Sequence, residues 1–192
     1  LQYWEEAAKL LDSFLGKYPE PAKNIYLPNA LYDRANCHFS ESQFEPALKL
    51  LNRLEDEFPD TGVIDMAYNM KGNIFESTAK QEEAEKYYIK ALEIAEQREN
   101  KIVAGESLSY LVGMLGVETV GDKKKPNPRL KDAVPWYDKF MKEYRTNPYK
   151  PQVLVHGMAA VKSVGREQEG LDNLQAMITE LAGKERQSFL EE

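Results

Sequence analysis

The chain has 192 residues, 42% of them apolar and 30% charged, a balance that supports a folded core and excludes wholesale disorder. With 25 Lys and Arg against 32 Asp and Glu the net charge is −7, so no global field draws nucleic acid or anionic lipid. One cysteine, Cys37, and two histidines, His38 and His156, exclude an internal disulfide and a multi-cysteine zinc site. In chain order, the first predicted helix lies in YWEEAAKLLDSFLGKYP, where Trp4, Ala7, Ala8, Leu11, Phe14 and Leu15 share a face. It starts at Leu1 with no basic or signal-type stretch and reads as a fragment, so that any targeting signal would lie outside it. Further helices are predicted over 29–42, 44–60, 65–78, 81–96, 104–119, 130–144, 152–164 and 167–181. The final GKERQSFLEE reads as the start of another helix or a capping segment.

The helices repeat. WEEAAKLLDSFLGKYP (4–19) aligns with FEPALKLLNRLEDEFPD (44–60): Trp4 with Phe44, Ala7 with Ala47, and Tyr18-Pro19 with Phe58-Pro59. Later copies are anchored on Ala84, Ala133 and Gly170, so the anchors from Ala7 onward are spaced 40, 37, 49 and 37 residues apart. The second full pair has the cleanest pattern, with Tyr68, Lys71-Gly72 and Phe75 followed by Ala84, Tyr88 and Ala91. The first pair agrees at Leu31, Arg34-Ala35, His38, Ala47, Leu51, Leu54 and Pro59. This resembles the tetratricopeptide repeat, in which an opening bulky residue, a small residue and an aromatic precede an alanine-anchored second helix.

The resemblance covers roughly residues 1–182, with degenerate individual matches, and implies an all-α, TPR-like α-solenoid of antiparallel helix pairs in a right-handed superhelix. The expected organisation is one solenoid: a leading half-repeat at 1–19, repeats at 28–60, 63–97, 100–146 and 149–182, and a tail or cap at 183–192. Small residues at Gly72 and Ala35 let the two helices of a hairpin approach. Pro19 and Pro59 end second helices, and Pro46 is tolerated near a helix start. The aromatic-proline link FPDTGVIDMAYNMKGNIF resembles a variant common in bacterial envelope proteins. That leans the expected compartment toward the bacterial periplasm or cell envelope, while the residues themselves leave it open.

Between the third pair's helices an insertion, VGDKKKPNPRLKD (120–132), gathers Lys123, Lys124, Lys125, Arg129 and Lys131 around two prolines. It reads as a solvated loop or as a contact for an acidic partner. The remaining chemistry is sparse. His38 and His156 read as packed structural residues, and Cys37 diverges from His38 by about 100° on a helix, so the two form no nucleophile–base pair. No phosphate-cradling glycine loop, HExxH or EF-hand loop is present. The expectation is a protein without catalytic residues, metal or cofactor.

In the solenoids this chain resembles, the first helix of each pair lines a concave groove. Its residues here are Asn29, Tyr32, Asn36 and Phe39; Met66, Asn69, Asn73 and Glu76; Ser107, Tyr110 and Met114; and Gln152, Val155, Ala159 and Lys162. Carboxamides donate and accept, so Asn36, Asn69 and Asn73 beside Tyr32, Met66 and Tyr110 could hold an extended peptide backbone. The alternative is an ordinary solvated face. The basic clamp with which co-chaperone repeats grip a chaperone's C-terminal carboxylate is absent, because Tyr32, Met66, Asn69 and Met70 stand where its cations and second asparagine belong. The expected function is a non-enzymatic scaffold binding a peptide or partner surface in the groove, without nucleic acid or membrane insertion. The alternatives are self-assembly through exposed solenoid ends, or a regulatory region of a larger protein.

Overall fold

The computed structural model describes residues 2–18, 24–120 and 125–191. Pro19, Lys123, Lys124 and the side chains of Trp4 and Lys125 lie outside that description. The chain divides into two compact units, Leu1–Arg98 and Glu99–Glu192. Among the described residues the fold is all-α apart from one two-residue antiparallel ladder.

The first unit holds α1 (Gln2–Lys17), α2 (Leu27–Ser40), α3 (Phe44–Glu57), α4 (Ile64–Ser77) and α5 (Gln81–Gln97). Three-residue turns join α2 to α3 and α4 to α5, so each pair packs as an antiparallel hairpin. The repeat register predicts the core: Leu31, Ala35, Ala47, Leu51, Leu54, Ala84, Tyr88 and Ala91 are all fully buried. Phe75 is half-buried and stacks on Tyr87, centroids 5.4 Å apart.

The turns themselves repeat in a way the sequence conceals. Ser42 (φ 58°) and Ala79 (φ 60°) sit in the left-handed region, where glycine is favoured. Around them, the N–H groups of Gln43 and Lys80 donate to the carbonyls of His38 and Phe75 at 2.8 Å. Those of Ser42 and Ala79 donate to Phe39 and Glu76 at 2.9 and 3.0 Å. This double closure satisfies carbonyls the helix ends would leave open.

The second unit holds α6 (Lys101–Leu115), the ladder β1 (Thr119–Val120) with β2 (Lys125–Pro126), a 3-10 turn at Leu130–Asp132, then α7 (Ala133–Glu143), α8 (Lys150–Ser163) and α9 (Glu167–Glu191). Asn100 caps α6 by accepting the Val103 N–H. Pro135 falls in the first turn of α7, as its missing donor requires. The α8–α9 turn repeats the closure of the first unit, with Gly165 (φ 78°) at the left-handed position and the Arg166 N–H donating to Val161 at 2.9 Å. Gly170 stands where the anchor alanine belongs, and a Cβ there would meet the flexible Met158 side chain, whose sulfur would lie 2.6 Å away, and Val161 at 3.0 Å. The helix then continues without interruption through Gly183 to Glu191, and Leu171, Ile178 and Leu181 on it are about half exposed.

The insertion is anchored at its base, while Pro126, Pro128, Lys131 and Asp132 are exposed. Asn127 Nδ2 donates to the carbonyls of Leu115 and Val117 at 3.0 and 2.9 Å, and its Oδ1 accepts the Arg129 N–H at 2.9 Å.

Candidate interaction site

The first helices of the pairs carry the candidate face, and in the first unit α2 and α4 are each tied by an ion pair to the helix before them. On α2, Arg34 forks onto Asp12 of α1 with two bonds of 2.6 and 3.0 Å. The bidentate hydrogen bonds it donates to Asp12 hold the guanidinium above its ordinary pKa against the lowering effect of burial. On α4, Lys71 is only 1% exposed and pairs with Glu55 of α3, which also takes Lys90 of α5 at 2.5 Å. Lys71 lies 4.9 Å from the Tyr87 ring centroid and Lys90 4.2 Å from that of Tyr68, so aromatic faces cover both ammonium groups. Burial pushes the Glu55 carboxyl upward, but the hydrogen bonds from Lys71 and Lys90 outweigh it and hold its pKa below the ordinary value.

The Glu55–Lys71–Lys90 cluster escaped the sequence reading. The signal was present: Lys71 occupies the position before the small Gly72, where a long apolar residue belongs, and Arg34 does the same before Ala35. A second-unit counterpart joins Arg166 to Asp138 of α7 at 2.8 and 2.9 Å and to Glu169 at 2.6 and 2.9 Å.

With those cations turned inward, α2 and α4 present polar and aromatic groups. Tyr32, Asn36 and Met66 are half-buried, with Asn29 and Asp33 exposed beside them. Asn73 is half-buried, and its Oδ1 lies 2.7 Å from the Tyr88 hydroxyl, which is also 2.7 Å from Glu76 Oε2. Asn69 does not belong to this surface. It is 3% exposed, because it sits within the buried stretch from Ala67 to Gly72, and cannot offer its amide to a ligand.

In the second unit the expected face of α6 is largely closed. Ser107 and Met114 are 0% and 5% exposed, because α7, α8 and the 3-10 turn pack around α6. Tyr110 remains half-buried, its hydroxyl donating to Glu106 at 3.1 Å beside that of Tyr149 at 2.9 Å. In the basic insertion, Lys125 contributes backbone to the ladder, and Arg129 pairs with Asp132 at 2.9 Å.

The remaining candidates for chemistry are dispersed. Cys37 is 3% exposed, and burial pushes its thiol up, away from the reactive thiolate. His38 is half-buried at the α2–α3 turn with Nδ1 at 2.6 Å from Gln43 Oε1, rather than packed in the core. His156 is exposed, because the helix turns it out while its neighbour Gly157 takes the close contact with Tyr137. Among the described residues no group of three His, Cys, Asp or Glu is placed to hold a metal, and no helix is long and apolar enough to cross a membrane.

A family model described as Tetratricopeptide repeat matches residues 67–98, the α4–α5 hairpin. No curated protein matches the chain.

Proposed function

Residues 67–98 being a tetratricopeptide repeat, a unit that generally mediates protein–protein interaction, we propose that the chain is a non-catalytic binding module. In this reading its first unit docks a peptide segment against the exposed side of α2 and α4. The observation that carries the reading is the presentation of Asn29, Tyr32, Asn36, Met66 and Asn73 on two successive first helices whose cations are engaged elsewhere. Half-buried carboxamides beside an aromatic ring supply backbone hydrogen bonds and apolar contact together. The test is selection of a random 12-residue peptide library on the whole chain, followed by fluorescence anisotropy of the selected peptides. Asn36→Ala combined with Tyr32→Ala is expected to weaken them at least about tenfold. Asn29→Trp, a bulky change at an exposed position, should block the face without touching the core. Selected peptides that bind both folded variants unchanged would remove this face from the proposal.

A second reading is supported by α9. Leu171, Leu174, Ile178 and Leu181 follow a 3-4-3 spacing, the seam of a helix that pairs with another helix, and three of them are about half exposed. Self-association through this stripe predicts a concentration-dependent sedimentation coefficient that Ile178→Glu abolishes. A monomer at every concentration sinks it.

A further inference from the structure

The net charge of the chain is confined to one unit. Residues 1–98 hold 11 Lys and Arg against 18 Asp and Glu, whereas residues 99–192 hold 14 of each. Within the first unit the sorting is finer still. Among the charged side chains of α2, Arg34 is paired with Asp12 and Asp33 is exposed. Among those of α4, Asp65 is buried, Lys71 is buried against Glu55, and Glu76 is exposed. The side of these helices that reaches solvent therefore carries carboxylates and no lysine or arginine.

Helical spacing places the two carboxylates among the docking residues. Asp33 is four residues from Asn29 and three from Asn36, and Glu76 is three from Asn73. No described residue forms an ion pair with either. The Tyr88 hydroxyl lies 2.7 Å from both Asn73 Oδ1 and Glu76 Oε2 and is shared between them as a donor. Asn73 Nδ2 is then the group that would donate to a ligand's backbone.

From this charge sorting we infer that the α2–α4 face takes a cationic peptide segment, one whose lysine or arginine side chains meet Asp33 and Glu76 while Asn36 and Asn73 hold its backbone. The inference rests on the reading of this face as a peptide-docking surface and names the chemistry of the peptide. A surrounding unit of net negative charge would also steer such a segment in from solution.

The experiment uses the same random 12-residue library on the whole chain, with selected sequences scored by net charge and their affinities measured at 50 and 300 mM salt. Selected peptides should be enriched in lysine and arginine and should weaken several-fold at the higher salt. Asp33→Asn with Glu76→Gln, which keeps an acceptor for Tyr88, should weaken them by roughly tenfold while leaving neutral peptides unchanged. Peptides without cationic enrichment that are blocked by Asn29→Trp but indifferent to the two charge substitutions would overturn the inference and leave the docking face standing. Enrichment in acidic peptides would overturn it likewise. Failure to select any peptide would overturn both.

Discussion

Replacing Glu55 by glutamine is expected to destabilise the first unit by about 3 kcal/mol, whereas Lys71→Met should change stability by less than about 1 kcal/mol. The asymmetry follows from which partner is left behind. Lys71 is 1% exposed and depends on Glu55 for compensation, so Glu55→Gln strands an ammonium group away from water. Lys71→Met removes the buried charge and fills the same volume, while Glu55 keeps Lys90 and stays 24% exposed to solvent. The low end of the ~3–5 kcal/mol for breaking a buried pair applies because of that exposure. The double variant should recover most of the loss, since methionine removes the stranded charge. The pH dependence has a definite sign. Glu55 is held below its unfolded value of roughly 4.3, so its contribution is complete above that pH and is lost as pH falls through the folded value. Lys90 is pulled down by burial and raised further by Glu55, so its contribution fades only as pH climbs past roughly 10.4. Urea melts at pH 3 to 7 should thus show a steeper acid limb for the parent chain than for Glu55→Gln. A melting midpoint for Glu55→Gln within about 5 °C of the parent would refute the account.

The same cluster shows what a sequence can and cannot disclose. The repeat register located the core because burial of Ala47, Leu51, Ala84 and Tyr88 depends on spacing along one helix, and spacing is written in the chain. Glu55, Lys71 and Lys90 meet from α3, α4 and α5, and nothing in their separations of 16 and 35 residues along the chain marks them as partners. The turns were hidden for another reason. Ser42 and Ala79 take a backbone conformation that normally announces itself by glycine, and only Gly165 carries that mark. On the proposed docking face, helical periodicity groups Tyr32 with Asn36 and Met66 with Asn73, and all four are half-buried. It also put Asn69 there, because Asn69 shares the spacing, and a side chain's distance from solvent is not a periodic quantity.

Gly72→Ala should destabilise the first unit by about 2–3 kcal/mol, against the usual direction of this substitution. In a helix interior alanine is normally better than glycine by about 0.5–1 kcal/mol, through backbone entropy alone. Gly16 in α1 supplies the control, because a Cβ there meets no atom within 4 Å, and Gly16→Ala should stabilise by about 0.5 kcal/mol. At Gly72 a Cβ runs into the Tyr88 ring. The ring cannot swing aside cheaply: it is fully buried, and its hydroxyl is held by Asn73 and Glu76. Relief therefore requires α4 and α5 to part, which loosens the hairpin that matches the repeat family. Tyr88→Leu alone should cost about 2–3 kcal/mol through the cavity it leaves, yet combined with Gly72→Ala it should cost less than the sum by at least 1 kcal/mol. The consequence reaches the proposed docking face, because Asn73 follows Gly72 and shares its partner. Gly72→Ala is accordingly expected to weaken selected peptides several-fold at a temperature where the variant is still folded. Chemical melts of the four variants decide the matter: a stabilised Gly72→Ala, or strict additivity with Tyr88→Leu, would mean that the ring and the glycine are not in contact.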